Sequence, residues 1–392
     1  MTKPYLTLIC QADIYSPEKL GVNDILLSGE KIIAIAKKID VSSIKNMDIE
    51  VVDAKGKKVV PGFIDAHVHI AGAGGEGGPS TRTPELQLSQ MLTGGITTVI
   101  GCLGTDGVTR VPESVLMKVK SLKAEGVSSW MYTGSYQVPT PTITGSIDRD
   151  MALIDEVIGV GEIALSDHRS SCPSTLELIR IAEQARVGGM LGGKAGVVNI
   201  HLGDAKNPFK PIIDAVNQSE LKFKQFYPTH CNRNFYIFED AKEYGKQGYI
   251  DITASSYHYF PDEEVKPSKA LIELMKAGVP LEHITFTSDG NGSLPRFDSN
   301  GELVKLDIGQ PKSIFIEMVE AVTQENLSLD QSVKVITSNV AQLLKLKTKG
   351  RVQVGFDADL VILNNDYSIS DVFARGVQMV KDQNLIRRGT FE

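Results

Sequence analysis

Short apolar runs that alternate with helical patterns fill the middle of the chain. Turn residues separate the runs, and this order is typical of a parallel sheet covered by helices. The candidate strands are residues 63–67, 97–101, 130–134, 160–165, 198–202, 225–230, 250–254 and 284–288. Eight strand–helix units in about 290 residues predict an α/β fold, a (β/α)8 barrel of the TIM type.

Both ends of the chain have a different pattern, in which β-prone runs are separated by turn residues such as Gly29 and Gly56. We predict that the ends form one small β-sandwich domain, residues 1–58 and 346–392, and that the barrel, residues 59–345, interrupts it. The candidate strands at the ends are residues 5–10, 31–36, 50–53, 359–363, 371–374 and 378–380.

Composition narrows the class of protein. A length of 392 residues exceeds what one hydrophobic core usually supports, in agreement with two domains. The net charge of −7, without a basic stripe, argues against nucleic-acid binding. No stretch approaches the roughly 18 apolar residues of a membrane span, and the first residues lack a signal-peptide pattern. The four cysteines have no paired spacing, so we expect a reduced, cytoplasmic protein.

Four of the seven histidines and one aspartate lie where predicted strands end. His67 and His69 end the first strand, His201 the fifth and His230 the sixth, while Asp289 ends the eighth. In a barrel, these strand ends share the rim on which active sites lie. Because side chains alternate along a strand, His67 and His69 face the same side and can bind one metal ion. The pattern predicts a metal site on this rim.

Several motifs resemble those of isoaspartyl dipeptidases, a family of the amidohydrolase superfamily. The first-strand segment VVPGFIDAHVHIAGAGGEGGP is similar to the superfamily motif, whereas the narrower family is indicated by VGGMLGGKAGVVNIHLGD, TGSYQVPTPTITGS, SDHRS, PTHCNRN and FTSDGNGS. The resemblance covers nearly the whole chain. It implies hydrolysis of the isopeptide bond in β-aspartyl (isoaspartyl) dipeptides, and a homo-oligomer, an octamer in size.

The resemblance also implies a cofactor of two zinc ions (Zn2+) per subunit, held by imidazole and carboxylate ligands. The more buried ion is bound by His67, His69 and Asp289, the second by His201 and His230. A carboxylate bridges the two ions, and counting back from SDHRS assigns it to residue 162.

Glu162 departs from the family pattern, because many relatives have at this place a lysine that is carboxylated on its side-chain nitrogen. Glutamate supplies the negative charge, but its arm is several bonds shorter. Either the fourth strand or the metals must then lie closer, or the site holds a single ion. The preceding VIGVGE is also one residue longer than the expected pattern. We favour a bridging Glu162 over an ordinary ion pair, and over Lys194, which lies in a Gly-rich loop.

Substrate contacts are implied by the same resemblance. Glu76 binds the free ammonium of the dipeptide, while Arg169 and Arg233 bind its two carboxylates through their planar guanidinium groups. Thr105 and Ser293 add hydrogen bonds near the amino-acid head group.

The implied catalytic residues are Asp289 and Tyr136. Two metals lower the pKa of a bridging water to give hydroxide near neutral pH. Asp289 takes the proton of this water and later delivers it to the leaving amine. The Tyr136 hydroxyl and one zinc ion polarise the scissile carbonyl and stabilise the oxyanion.

Two other interpretations stay open. The metal ligands also fit other amidohydrolases, such as a dihydroorotase, an N-acetyl-sugar deacetylase or a D-aminoacylase. Glu76, Arg169, Arg233 and Tyr136 favour the dipeptidase. A non-catalytic scaffold of the same fold is disfavoured, because such a protein typically loses metal ligands and every ligand type is present here.

Overall fold

The computed structural model describes residues 6–298, 300 and 302–392. Tyr5, the first residue of the predicted strand 5–10, and the start of the predicted small domain lie outside the described residues. The strands are β1 (Leu6–Tyr15), β2 (Lys19–Ser28), β3 (Lys31–Ala36), β4 (Ile49–Asp53), β5 (Lys58–Pro61), β6 (Phe63–Val68), β7 (Ile96–Gly101), β8 (Ser128–Thr133), β9 (Val157–Leu165), β10 (Val197–Leu202), β11 (Phe226–Thr229), β12 (Ile250–Thr253), β13 (Ile284–Thr287), β14 (Ser293–Phe297), β15 (Leu303–Ile308), β16 (Leu360–Leu363), β17 (Ile369–Ala374), β18 (Val377–Lys381) and β19 (Asn384–Leu385). The α-helices are α1 (Leu88–Leu92), α2 (Pro112–Ala124), α3 (Ile147–Leu153), α4 (Thr175–Gly192), α5 (Lys210–Asn217), α6 (Phe235–Tyr244), α7 (Pro267–Lys276), α8 (Ser313–Thr323), α9 (Leu329–Ser332) and α10 (Ser338–Leu343).

The strands β6 to β13 form the parallel barrel that the sequence predicts. Six of them, β6 to β11, lie side by side in chain order, and β12 pairs with β13. Contacts at both edges join these sheets. The amide of Cys231 donates to the carbonyl of Asp251, and Val68 forms a parallel bridge with Gly290. All eight candidate strands fall on these elements, so the predicted fold class is confirmed.

Side-chain alternation explains why the barrel strands are buried on both faces. In β10, Val198, Ile200 and Leu202 face outward and pack in one core with helix residues such as Leu178. The intervening His201 faces the barrel interior, since successive side chains of a strand point to opposite sides. The same geometry brings polar residues of neighbouring strands together at the carboxyl end of the barrel.

Both ends of the chain contribute to one nine-stranded sheet, in the order β19-β18-β17-β16-β5-β1-β2-β3, with β4 also paired to β1. The strands β5 and β16 are antiparallel neighbours, with Val60 opposite Val361. Residues from both ends, such as Ile14 and Phe373, share one core cluster. The ends therefore build one strand-rich unit, while its division from the barrel at residues 58 and 346 stays a prediction.

The hairpin β14–β15 follows the eighth barrel strand directly. The two strands are antiparallel, with Ser293 opposite Ile308. This hairpin was not predicted from the sequence. It carries Ser293 and forms part of the wall above the barrel. Within the described ranges, no helix combines the length and the apolar character that a bilayer crossing requires.

Candidate active site

All six predicted metal ligands meet on the carboxyl-end rim of the barrel. Each of them is buried. They are His67 in β6, His69 directly after it, Glu162 in β9, His201 in β10, His230 after β11 and Asp289 two residues after β13. The backbone at His230 and Asp289 has a positive φ, 62° and 50°. This conformation is uncommon outside glycine and concentrates at functional sites.

The carboxylate of Glu162 lies at the centre of the four histidines. Its Oε1 is 2.8 Å from Nδ1 of His201 and 3.3 Å from Nε2 of His230. Its Oε2 is 3.3 Å from Nε2 of His67 and 3.8 Å from Nε2 of His69. Each oxygen therefore faces a different histidine pair, which is the arrangement that a bridging carboxylate requires.

Asp289 adds a second carboxylate beside the first histidine pair. Its Oδ1 is 3.0 Å from Nε2 of His69 and 3.7 Å from Nε2 of His67. Among the described residues, two groups of side chains have the spacing to hold a metal ion. One consists of His67, His69, Cys102 and Glu162, and the other of Glu162, His201 and His230.

Several buried atoms of this cluster have no hydrogen-bond partner within the described part of the chain. They are Nδ1 and Nε2 of His67, Oε2 of Glu162 and Oδ1 of Asp289. Buried polar atoms are rarely left unpaired, because each costs about 1–3 kcal/mol. Imidazole nitrogens and carboxylate oxygens are ligands that zinc prefers, so the residues fit a metal centre.

The electrostatics agree with this fit. Burial raises the pKa of Glu162, but the facing histidines outweigh it and hold this pKa well below its usual range. Asp289 follows the same rule, since its contacts with His69 lower its pKa despite burial. Burial lowers the pKa of His230 to about 4, which keeps its imidazole neutral. Ionised carboxylates and neutral imidazoles are the forms that bind metal ions. Burial lowers the pKa of His67 and of His69, but Cys102 and the facing carboxylates outweigh it and hold both pKa values well above the usual range, so these two imidazoles would release a proton when a metal ion binds.

Tyr136 and Asp167 hold His201 from two sides. The Tyr136 hydroxyl is 2.8 Å from Nδ1 of His201, the nitrogen that also faces Glu162. Oδ2 of Asp167 is 2.8 Å from Nε2 on the other side of the ring. Carboxylates in this position fix the orientation and tautomer of a metal-binding histidine. Asp167 was not predicted as a site residue, although the SDHRS motif contains it.

Asp167 also orients Arg169, the predicted carboxylate-binding residue. The guanidinium donates twice to Asp167, from Nε at 3.0 Å and from Nη2 at 2.9 Å. Its Nη1 lies 3.3 Å from Oγ1 of Thr105 and 3.6 Å from Oε1 of Glu76. Ser293 donates to the same Glu76 oxygen at 2.8 Å. Four of the predicted substrate-binding residues are thus connected by hydrogen bonds and one ion pair.

Arg233 lies apart from that group. It lines a cavity of about 550 Å³ that Arg169 also lines. Its Nε contacts Oδ1 of Asp204 at 3.0 Å. The cavity is also lined by Tyr136, Arg169, His201, His230, Asp289 and Ser293. The structure therefore places Tyr136, Arg169, Arg233 and Ser293 around one cavity that reaches the predicted metal ligands, while Glu76 and Thr105 contact Arg169. Their individual roles stay predictions.

Comparison with known proteins places the chain among amidohydrolases. Models of the amidohydrolase family match residues 50–105 and 237–379. A beta-aspartyl dipeptidase from Fervidobacterium islandicum AW-1, solved in complex with the beta-Asp-Leu dipeptide, is 42% identical, with 98% of each chain covered and a TM-score of 0.92. A second structure of beta-aspartyl dipeptidase from that organism is 40% identical over 97% of this chain and 98% of that one, with a TM-score of 0.87. An allantoinase from Bacillus licheniformis is 25% identical over 86% of this chain and 82% of its own length.

Proposed function

The chain belongs to the amidohydrolase superfamily and to its family of beta-aspartyl dipeptidases, and from this premise we propose that it hydrolyses the isopeptide bond of β-aspartyl dipeptides with two zinc ions per subunit. One observation carries the proposal. The cavity that contains Arg169, Arg233 and the nearby Glu76 opens directly onto the buried histidine–carboxylate cluster. Those charges match the ammonium and the carboxylates of the dipeptide.

The zinc ions would be held by the residues that the rim brings together. His67, His69 and Asp289 would bind the first ion, His201 and His230 the second, and Glu162 both. When bound, two such ions supply an activated water at neutral pH and polarise the scissile carbonyl.

Proton transfer is assigned to Asp289. Its Oδ1 is buried, faces the first histidine pair and has no hydrogen-bond partner within the described residues. The lowered pKa of Asp289 keeps it ionised at neutral pH, so it can accept a proton. After the carbonyl has been attacked, the same oxygen can pass that proton to the leaving amine.

Tyr136 is assigned to the oxyanion. Burial, together with the nearby Glu162, holds the pKa of Tyr136 well above its usual range, so the hydroxyl keeps its proton at neutral pH. A protonated hydroxyl at the edge of the metal cluster can donate to the oxygen on which negative charge develops.

Selectivity for the β-linkage follows from the charges of the cavity. In a β-linked dipeptide the α-amino and α-carboxylate groups of aspartate are both free, whereas an α-linked dipeptide uses the α-carboxylate in its peptide bond. Oε2 of Glu76 is buried without a hydrogen-bond partner in the described part of the chain, and we assign it to the ammonium. Arg169 and Arg233 would then bind the carboxylates of the two residues. A cytoplasmic location and assembly into a homo-oligomer stay predictions.

Hydrolysis of β-Asp-Leu and of α-Asp-Leu by zinc-loaded protein tests the proposal. We expect leucine release from the β-linked peptide, with little or none from the α-linked one. Glu76→Gln should raise KM for the β-linked peptide and leave zinc content unchanged, because Glu76 contacts no metal ligand. Zinc-loaded protein that releases leucine from neither peptide would contradict the dipeptidase and leave another amidohydrolase reaction.

Tyr136→Phe tests the oxyanion role. Loss of one hydrogen-bond donor to an oxyanion lowers kcat by about 100-fold or more. We expect that reduction with a nearly unchanged KM and an unchanged zinc content. Steady-state kinetics on β-Asp-Leu and metal analysis measure both; an equal fall in zinc content would assign Tyr136 to metal binding instead.

A further inference from the structure

Strand β9 contains one residue more than its neighbour β10 at the level of the metal cluster. Val198 lies opposite Val160, but the next pair in register is Ile200 with Ile163. Gly161 and Glu162 therefore share the place opposite the single residue Asn199. Two residues opposite one is the definition of a β-bulge, a feature that locally bends a strand and redirects a side chain.

The register shows that the bulge interrupts the alternation of β9, because Val198 and Ile200, two residues apart in β10, lie opposite Val160 and Ile163. Val160 and Ile163 both belong to the core that includes the surrounding helices. They are three residues apart, whereas two residues on the same face of a regular strand are separated by an even number. The extra residue lies between them. As a result, Glu162 faces the interior of the barrel from a backbone that leaves the regular line of the strand.

Gly161 is the residue that permits this bulge. Its φ of +146° lies in a region that residues with a Cβ rarely adopt. A Cβ at this position would stand 2.5 Å from the carbonyl oxygen of Asn199 and 2.9 Å from its Cβ. Both are too close, and the carbonyl belongs to the adjacent barrel strand and cannot move freely. The glycine and the bulge are therefore linked.

The reach of Glu162 gives the bulge a purpose. A glutamate arm has only two methylene groups, yet its oxygens lie 2.8 to 3.8 Å from nitrogens of histidines on three other parts of the barrel, at the end of β6, in β10 and after β11. The side chain of Glu162 is about 1% exposed, so it lies fixed in the barrel interior rather than flexible at the surface. The backbone must supply the length that the side chain lacks.

We propose that Gly161 is a positioning residue for the metal pair: the bulge that it permits advances Glu162 into the barrel, so that a short, unmodified carboxylate bridges both metal positions. This inference rests on the proposed zinc pair. It adds the backbone feature that positions the bridging carboxylate of Glu162. Of the alternatives of a closer strand, closer metals or a single ion, the bulge favours the closer strand.

Deletion of Gly161 tests the inference directly. The deletion restores the register of β9 with β10 and retracts Glu162, so we expect the protein to retain at most one zinc ion per chain after dialysis, with zinc affinity reduced roughly 10- to 100-fold or more. Metal analysis and titration with zinc measure this without any substrate. The result is therefore independent of whether β-Asp-Leu is hydrolysed.

Two further variants keep the test valid if the deletion prevents folding. Gly161→Ala keeps the chain length but places a Cβ against Asn199, and Glu162→Asp keeps the bulge and the charge but shortens the arm. Both should lose zinc affinity. The matched control is Gly193→Ala, since Gly193 also has a positive φ, 65°, but a Cβ added there would meet no atom within 4 Å; its zinc binding should equal that of the wild type.

A second substitution that restores zinc binding distinguishes a loss of side-chain length at position 162 from general damage to the strand. Combining the deletion of Gly161 with Glu162→Lys, in bicarbonate buffer, places a longer arm on the retracted strand, and its nitrogen can take up carbon dioxide as a carbamate. We expect zinc content to return toward two ions per chain, with a mass increase of one carbon dioxide. A folded deletion variant that binds two zinc ions with wild-type affinity would overturn the inference, as would Glu162→Lys alone binding zinc equally well in the bulged strand.

Discussion

Asp167 connects a predicted metal ligand, His201, to a predicted substrate-binding residue, Arg169. One of its oxygens lies 2.8 Å from Nε2 of His201, and both oxygens accept from Arg169. Burial raises the pKa of Asp167, but its hydrogen bonds with His201 and Arg169 outweigh this and hold it well below the usual range. The carboxylate therefore stays charged, and it orients an imidazole and a guanidinium that lie side by side, with Nη2 of Arg169 3.4 Å from Nε2 of His201.

We expect Asp167→Asn to weaken zinc binding and substrate binding together. The amide keeps the shape but loses the charge and one acceptor. Zinc affinity should fall roughly 10- to 100-fold, as is typical when the partner of a metal-binding histidine is changed. KM for β-Asp-Leu should rise because Arg169 loses its orientation. Zinc titration and steady-state kinetics measure the two effects.

Asp204→Asn is the matched control for that variant, because Asp204 contacts the other predicted arginine, Arg233, at 3.0 Å. It should change KM without changing zinc affinity. Equal zinc affinity in Asp167→Asn and the wild type would show that Asp167 does not position His201.

At the residue scale, the sequence predicts the members of the histidine–carboxylate cluster better than the residues that orient them. His67, His69, His201 and His230 were recognisable because histidine is a rare residue and each lies at a strand end. Asp167 is one of many aspartates, and its role depends on the direction in which its side chain points. That direction is set by the β9–α4 loop in three dimensions and leaves no periodic signal.

Helices α7 and α8 are joined by a buried carboxylate. Glu317 in α8 accepts a hydrogen bond at 3.0 Å from the backbone amide of Ser268, in the first turn of α7. Burial is the main cause that raises the pKa of Glu317 from 4.5 to about 7. Because the folded state holds this proton more tightly than the unfolded chain, Glu317 contributes stability below about pH 4.5 that is lost as the pH rises through about 7.

We therefore expect Glu317→Gln to make stability less dependent on pH. Near pH 5 the variant and the wild type should have similar free energies of unfolding. At pH 8 the variant should be more stable by about 2–3 kcal/mol, because the wild type carries a buried charge there. Urea unfolding across this range measures the difference between the two proteins.

The control for this experiment is Glu183→Gln, on the exposed side of α4. Its difference from the wild type should stay constant with pH. A constant difference for Glu317→Gln as well would contradict the raised pKa of Glu317.

At the element scale, the sequence predicts β6 to β13 because each is a short run between turns with apolar residues on its outward face. The hairpin β14–β15 escaped prediction because its second strand is not half-buried in alternation. Residues of β15 are exposed or intermediate throughout. Strand β2 was missed for a related reason, since its first four residues are exposed or intermediate and its buried residues follow as one block. Such strands are defined by their partner rather than by their own pattern.

Lys349 joins the end sheet to the barrel. Its Nζ contacts Asp359 and lies 2.9 Å from Oδ2 of Asp357, and it donates to Oγ of Ser128 in β8 at 2.6 Å. The side chain is only 3% exposed. Burial lowers the pKa of Lys349, but the two aspartates raise it by more than that. The pKa is therefore raised overall, and the ammonium stays charged.

We expect Lys349→Met to destabilise the protein by about 3–5 kcal/mol, because it leaves the charge of Asp359 buried without its cation. Chemical unfolding of the metal-free protein measures this. Lys246→Met, which removes an exposed pair with Glu243, should change stability by no more than about 0.5 kcal/mol. Similar effects of the two substitutions would contradict a buried joint at Lys349.

At the scale of the whole molecule, the eightfold alternation was sufficient to predict the barrel, and the similar character of both ends was sufficient to predict that they associate. The order of the nine strands was not predictable. Periodicity reports which faces of a strand are buried but not which strand lies beside it. The pairing of β5 with β16 joins residues that are distant in the sequence, so no local pattern records it.

That pairing has a consequence for synthesis on the ribosome. When β5 emerges, the strand that completes its hydrogen bonds has not yet been translated, because Val60 pairs with Val361, far later in the chain. At typical elongation rates this delay is roughly 15–60 s. During that time the nascent chain presents an open, apolar strand edge that other chains can pair with. Chaperones that cover such edges should therefore matter more for this protein in the cell than for refolding of the complete, released chain.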